Sequence, residues 1–334
     1  MKLPSRQFLH LATGAAALPA VLAVLCLMAC ASQSRAQGFP TKPIHIIVPL
    51  PPGATADTLP RLIGEKLTAK WGQPVIIENR PGFAQNLGAE IVARAEPDGY
   101  TLLATPQGPL VISQSLFAKL NFDPAAFEPI TIMASLPYVL VVGFGSQITN
   151  LQEFIARAKA EPAKLTYASP GVSSSNHLAM EWFSGLAGMK LTHVPYQGAA
   201  PALVDVLAGR VDAMLDNAGN VMQLIHDGRL RALAVTSQKR MDELASTPAI
   251  AETFPAFVAT SWFAVVAPPK TPPTIVNTLS AAMIEALRAP DVVKKAHDLS
   301  STIVASTPYE TEVFLKHETE TWRKVIQGAG IKLQ

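Results

Sequence analysis

The sequence predicts an α/β protein built from two sections, each a mostly parallel sheet flanked by helices. Continuous apolar strands alternate with helical apolar periodicity from Ile44 onward, which is typical of parallel βαβ units. The alternation restarts near Val139. The 334 residues also exceed the size of one typical core and suffice for two.

The first section repeats the order strand, polar loop, helix. Strands are predicted at 44–48, 75–78 and 100–104, and the pair Asp98-Gly99 marks the turn into the third. The helices after the first two strands gather their apolar residues on one face, at Leu59, Leu62, Ile63 and Leu67 and then at Leu87, Ile91 and Val92.

The second section begins with a strand at 139–142 and continues in the same alternation. Gly209 predicts the end of one of its helices, because glycine is favoured just beyond a helix C-terminus. The predicted elements are a helix at 151–160, a strand at 165–168, a helix at 176–186, a strand at 191–194, a helix through Leu203, Val204 and Leu207, strands at 211–215, 231–236 and 262–267, and helical segments to Gln327.

Residues 1–36 have the pattern of a secretory signal peptide. Two cations precede an apolar run at 11–29, and the small-residue site Ser34–Ala36 follows it. We therefore expect a mature chain that starts near Gln37 in the periplasm. The run does not distinguish the Sec export route from the twin-arginine route.

Both cysteines, Cys26 and Cys30, lie in this segment, so cleavage after Ala36 would leave a mature protein without cysteine. The box Leu27–Cys30 also resembles a lipoprotein processing site, which would place a lipid on Cys30. The lipoprotein and the soluble mature form both stay open.

The charge of the mature chain argues against nucleic acid as a partner. Removing Lys2, Arg6 and Arg35 from the 27 basic residues leaves 24, against 25 acidic residues, with no long basic block. Phosphate binding needs clustered Lys and Arg. We expect a monomer that binds a small molecule.

Catalytic and metal-binding motifs are missing from the sequence, which predicts a protein that is not an enzyme and holds no metal or cofactor. It contains no G-x-G-x-x-G, G-x-x-x-x-G-K, G-x-S-x-G or H-E-x-x-H. The enzyme alternative is a hydrolase or isomerase that would use Asp57, His177 or Asp216. We favour a helix-capping role for Asp57 and a structural role for His177.

Polar loops follow several predicted strands, where ligands bind in open α/β sheets. Backbone N–H groups, hydroxyls and amides there would hold an anion without a fixed positive charge. Arg80, next to Pro81, has a structural interpretation. The predicted ligand-binding residues of these loops are Gly53, Ala54, Thr55, Gln85, Asn86, Thr105, Gln107, Ser169, Pro170, Ser173, Ser174, Ser175, Asp216 and Asn217.

Ordered sequence blocks carry a family resemblance from about Phe39 to the C-terminus. The blocks are Phe39–Ile44, Val48–Gly53 leading into Asp57, Glu78–Gly82, Asn86–Glu90, Pro97–Thr101, Tyr167–Gly171, Ser174–Leu178, His193–Gly198 and Leu230–Thr236. Together they resemble the tripartite tricarboxylate transporter receptors, also called Bug-type receptors.

The resemblance implies a two-lobed periplasmic-binding-protein fold, a carboxylate-bearing ligand between the lobes, and delivery to membrane permease subunits. One lobe would comprise 39–138 and 261–334, and the other 139–260, with hinges at the two crossings. The loops that would contact the ligand are implied at Pro51–Asp57, Gly82–Asn86, Ser169–His177 and the segment Tyr196, Gln197 and Gly198.

This chain departs from the family pattern where Leu50, Ala54 and Phe83–Gln85 stand, since the family often has Phe, Gly and Ala-Gly-Gly there. The larger side chains at the last two places narrow the space beside the ligand. The ligand's identity stays open. A sensor that presents its closed form to a membrane signalling protein is the alternative to a transport receptor.

Overall fold

The structure is a computed structural model that describes residues 38–52, 55–172 and 174–331. Every element below belongs to one compact unit that begins at Lys42. The predicted signal peptide and Cys30 lie outside the described residues. Among the helices that are described, none combines the length and apolar character needed to cross a membrane.

The first βαβ units form as the apolar pattern predicts. Strand β1 (Ile44–Val48) is followed by α1 (Thr55–Trp71), β2 (Val75–Asn79), α2 (Asn86–Ala93) and β3 (Thr101–Pro106). β1 pairs in parallel with β2 on one side and with β3 on the other. Its apolar residues are buried because helices cover the sheet.

A long strand connects the two halves of the sheet. After a π-helical turn (Gly108–Ile112) and the short helix α3 (Ser113–Leu116), β4 runs from Glu128 to Gly143. Its first part, through Pro137, pairs with the late strand β9 (Thr260–Ala267). From Tyr138 onward it pairs with β7 (Ala213–Asn217) and β8 (Leu230–Val235).

The second half repeats the alternation of helix and strand. Its remaining elements are α4 (Leu151–Ala160), β5 (Thr166–Ser169), α5 (Ser175–Ala187), β6 (Thr192–Pro195), α6 (Ala199–Leu207) and α7 (Ala218–His226). β5 pairs in parallel with β6 and with β7. The chain ends with α8 (Pro273–Leu287), α9 (Pro290–Asp298), β10 (Thr302–Ile303) and α10 (Pro308–Ala329).

The strand order is β2-β1-β3-β9-β4-β7-β5-β6, with β8 and β10 also paired to β4. Both ends of this order are parallel, while β4 and β9 are antiparallel to their partners. The predicted α/β class is confirmed, and the predicted strands are present within two residues at both ends, except that β4, predicted at 139–142, begins eleven residues earlier. The first part of β4, helix α7 and strand β10 were not predicted.

Candidate functional site

A cleft of about 500 Å³ lies where the loops leave the strands. It meets the carboxyl ends of strands from both halves of the sheet, as open α/β sheets favour. Nine predicted residues line it: Pro51, Gln85, Gln107, Pro170, Ser174, Ser175, Gly198, Asp216 and Asn217.

One side of the cleft is called the polar wall here, and its described residues are Pro170, Gly171, Val172, Ser174, Ser175, Asn176, Gly198, Ala199, Asp216, Asn217 and Asn220. Three helices, α5, α6 and α7, begin on this wall. The first N–H groups of a helix have no partner within it, and the helix dipole adds partial positive charge there. The Ser174 side chain caps α5 by accepting a hydrogen bond from the His177 N–H. The polar wall therefore offers donors to an anion.

A buried tyrosine connects the polar wall to the opposite side. The Tyr138 hydroxyl donates to the Ser175 Oγ at 2.8 Å and accepts from the Gln107 Nε2 at 3.3 Å. The Gln107 Oε1 in turn accepts from the Trp262 N–H at 3.1 Å. Burial raises the pKa of Tyr138, so the hydroxyl stays protonated and acts as a donor. Its position on β4 is where that strand changes partners.

Asp216 is the one ionisable side chain among the described residues that line the cleft. Its Oδ1 accepts from the Asn217 N–H at 2.8 Å and from the Asn176 Nδ2 at 3.1 Å, and its Oδ2 accepts from the Asn220 Nδ2 at 3.2 Å. Burial raises the pKa of Asp216 to about 6, although these hydrogen bonds act in the opposite direction. The carboxylate holds the two asparagine amides in place.

The opposite side, the apolar wall, is formed mainly by Leu50, Ile112, Leu116, Phe117 and Phe263. It comes from the loop after β1, the π-helical turn, helix α3 and strand β9. The Phe83 ring packs against the Phe117 ring with centroids 5.2 Å apart.

Two amide oxygens that line the cleft lack hydrogen-bond partners in the described part of the chain. They are the Gln85 Oε1 and the Asn217 Oδ1, and both atoms are buried. A buried polar group without a partner is costly, and a bound molecule or water can satisfy it. Both atoms are acceptors, so a water or a hydrogen-bond donor of a ligand would satisfy them, whereas a carboxylate would not.

The strained backbone beside Gln85 occurs where the sequence departs from the pattern of the family that it resembles. Phe83, Ala84 and Gln85 have φ of 46°, 50° and 75°, which favours glycine. This is the segment where the family often has Ala-Gly-Gly. The strain sets the direction in which α2 and the Gln85 side chain leave the loop.

Three predicted residues near the first half lie outside this cleft. The Asp57 carboxylate accepts from Arg61 at 2.9 and 3.0 Å and from the Asn79 Nδ2 at 2.8 Å. Asn86 is buried and accepts from the Ser113 hydroxyl, and the Thr105 hydroxyl donates to the Pro106 carbonyl. The hydrogen bonds of these three residues hold the loops in position, and the residues themselves do not line the cleft.

Ser169 and His177 lie behind the polar wall. The Ser169 Oγ hydrogen-bonds the His193 Nε2 at 2.7 Å, and the His193 ring stacks on the His177 ring with centroids 4.0 Å apart. Burial, and next the neighbouring His193, lower the pKa of His177 to about 4. Tyr196 and Gln197 line a second, more open depression that shares Pro170, Gly171 and Val172 with the cleft.

The remaining predicted residues cannot be assigned a position. Gly53, Ala54 and Ser173 lie outside the described residues, and so does the side chain of Thr55. The backbone at Thr55 begins α1.

The residues predicted one by one omit most of the apolar wall and four polar residues, Ser113, Asn176, Asn220 and Ser261, although Asn176 lies within the implied loop Ser169–His177. The sequence prediction rests on polar loop residues, and apolar wall residues give no such signal. Asn176 directly follows the predicted serine loop, which could have indicated it. Asn220 lies on α7, a helix that the apolar pattern did not predict.

The arrangement suits capture of a ligand better than catalysis. Ser169 and His193 resemble a nucleophile–base pair, but Ser169 is 0% exposed and does not line the cleft. Of the three residues in the enzyme alternative, only Asp216 lines it. No group of three or more His, Cys, Asp or Glu that could hold a metal occurs in the described ranges.

Comparison with known proteins gives consistent likenesses. The chain matches the model of the tripartite tricarboxylate transporter family receptor over residues 59–331. The BugT protein of Bordetella pertussis is 35% identical over 307 residues, which cover 91% of this chain and 94% of that protein. The resemblance predicted from the sequence blocks is confirmed.

Two solved structures extend the likeness to the fold. Rpa4515 of R. palustris, solved with adipate, has a TM-score of 0.80 at 33% identity and covers 88% of this chain and 99% of its own. MatC of Rhodopseudomonas palustris, with bound malate, has a TM-score of 0.76 at 29% identity and covers 86% of this chain and 100% of its own. The predicted periplasmic-binding-protein fold is confirmed.

Proposed function

We propose, since this chain belongs to the tripartite tricarboxylate transporter receptor family, that it captures a small organic acid and delivers it to the permease subunits of such a transporter. The observation that carries the proposal is the polar wall, where three helices begin on one cleft. Helix N-termini bind carboxylates without a cationic side chain, and no Lys or Arg is among the described residues lining the cleft.

The ligand carboxylate would accept hydrogen bonds on the polar wall. The Ser175 Oγ accepts from Tyr138, so its own proton is available to a ligand, and the same holds for Ser174, which accepts from the His177 N–H. The adipate and malate bound to the two structural relatives support this ligand class.

Capture would use closure of two lobes, 39–138 with 261–334 and 139–260. The change of β4 partners between Pro137 and Tyr138 supports this division, as does the pairing of β9 with the first part of β4. Contacts made only in the closed form would shift the equilibrium toward closure.

The proposed place of action is the periplasm, with residues 1–36 removed during export. N-terminal sequencing of protein recovered from the periplasm should give a start near Gln37. Recovery only from membranes, with a blocked Cys30, would instead favour the lipoprotein form.

The proposal is tested by identifying the natural ligand. Mass spectrometry of small molecules released from freshly purified protein should find an organic acid, and a panel of organic acids should contain one that raises the melting temperature. Calorimetry then measures its affinity. If only a neutral or cationic molecule is released and no acid binds, the proposal is wrong.

A further inference from the structure

The two walls of the cleft have different chemistry, and this difference restricts the ligand. We infer that the ligand is a monocarboxylate with an apolar body of up to about the size of a phenyl ring. The inference rests on the proposed function, namely that the cleft binds an organic acid. The carboxylate would lie on the polar wall and the body against Leu116 and Phe117.

The polar side chains on the apolar side are largely occupied by protein partners. Both ends of the Gln107 amide are hydrogen-bonded, to Tyr138 and to the Trp262 N–H. The Ser113 hydroxyl donates to Asn86 at 2.8 Å. The Gln85 amide remains, and it is neutral. The described lining of this side contains no Lys, Arg or His, so a second carboxylate here would lose its water and gain at most the N-terminus of α2, which is unfavourable.

The charge around the cleft also favours a carboxylate. Four helices of eight or more residues, α2, α5, α6 and α7, begin at residues that line the cleft or adjoin its lining. Each N-terminus is equivalent to about half a positive charge, or about two in total. An ionised Asp216 offsets about one of these. The described helix N-termini therefore leave the cleft favourable to an anion.

The apolar wall has the shape and composition to bury a hydrocarbon body. Ile112 and Leu116 are themselves buried against the core, so they are rigid, whereas Phe117 is half-buried and faces the cleft. Phe83 supports the Phe117 ring from the outside. Each methylene that such a wall removes from water should tighten binding about 4-fold.

Hexanoate and adipate form a matched pair that tests the inference, because both have six carbons and only adipate has a second carboxylate. Calorimetry on ligand-stripped protein at pH 8 should give at least about 10-fold tighter binding of hexanoate, with benzoate also tighter than adipate. If adipate or malate binds as tightly as hexanoate, the inference is wrong while the proposed function stands. If none of these acids binds, and no other acid does, the proposed function fails too.

Phe117→Ala tests the assignment of the apolar wall. It should weaken hexanoate and benzoate about 10-fold and leave acetate, which is too short to reach this wall, unchanged. Phe144→Ala is the control, because Phe144 is a half-exposed phenylalanine outside the cleft that packs on Arg231. Phe117→Leu provides a milder second variant if Phe117→Ala unfolds. Equal weakening of all three acids in a folded variant would overturn the assignment.

Discussion

At the residue scale, the cleft offers an anionic ligand uncharged hydrogen-bond donors, namely peptide N–H groups, hydroxyls and side-chain amides. Each neutral hydrogen bond contributes only about 0.5–1.5 kcal/mol net. Affinity should therefore be spread over many groups, so that no single hydroxyl is indispensable. Ser174 and Ser175 differ in a useful way, because only Ser174 also caps a helix.

Ser174→Ala and Ser175→Ala should each weaken binding of the ligand about 2- to 13-fold. Ser174→Ala should also lower the free energy of unfolding by about 0.5–2 kcal/mol, because it removes the cap of α5. Calorimetry and urea unfolding separate the two effects. Arg80→Ala is the control, since Arg80 is exposed and pairs with Glu78. If Arg80→Ala abolished binding while neither serine substitution weakened it, the conclusion that the ligand is held without a cationic side chain would be contradicted.

His177 predicts a dependence of stability on pH. Its pKa of about 4 in the folded protein lies below its ordinary 6.5, so the unfolded chain binds the proton more readily. The stability that this difference contributes is present in full above pH 6.5 and is lost as the pH falls toward 4. The loss is at most roughly 3 kcal/mol, since one pKa unit corresponds to about 1.4 kcal/mol.

Urea unfolding of wild type and His177→Gln between pH 4 and 7 measures this contribution. The variant should lose less stability than wild type on acidification. Asp216 acts in the opposite direction in the same range, because its pKa is raised, but it is unchanged in both proteins and cancels in the comparison. If the free energy of unfolding fell equally with pH in the two proteins, His177 would not be the source of the acid destabilisation.

At the element scale, apolar periodicity was sufficient for the strands and helices that cover one core. It was not sufficient for β4, whose first part includes Pro129, Thr131, Ser135 and Pro137 and so lacks a continuous apolar run. The ladder with β9 overrides this weak local preference. Polar residues in a loop after a strand indicate a binding site from the local sequence alone, so the polar loops could be predicted. An apolar residue of the wall looks like any core residue in the sequence, so the apolar wall could not.

The loop before α2 contains a strain that a single substitution should relieve. Ala84 has φ 50° and ψ 41°, where a side chain costs about 1–2 kcal/mol. Replacement by glycine removes this cost but raises the conformational entropy of the unfolded chain, which offsets part of the gain. Ala84→Gly should therefore raise the free energy of unfolding by up to about 1 kcal/mol. Ala156→Gly, on the exposed face of α4, is the matched control and should lower it by about 1 kcal/mol. A loss of stability in both would contradict the strain.

At the scale of the whole molecule, the two predicted lobes share one buried hydrophobic cluster and also meet at several close contacts outside it. Thr236 fixes one of these places, because its Oγ1 accepts from the Tyr138 N–H at 2.8 Å and donates to the Ala259 carbonyl. Gly219, at the start of α7, forms another. A Cβ placed there would lie 2.7 Å from the Leu299 carbonyl oxygen, which belongs to the other predicted lobe.

Gly219→Ala should force α7 and the segment at Leu299 apart, because backbone on both sides has to move. Since α7 begins at the polar wall, the substitution should destabilise the closed form more than the open form. Ligand affinity should therefore fall, although no residue that lines the cleft is changed. Calorimetry measures the affinity, and small-angle X-ray scattering of the ligand-saturated variant should show a larger radius of gyration than wild type. Gly185→Ala, on α5 with open space around it, should leave both unchanged. Wild-type affinity and scattering in folded Gly219→Ala would show that this contact does not govern closure.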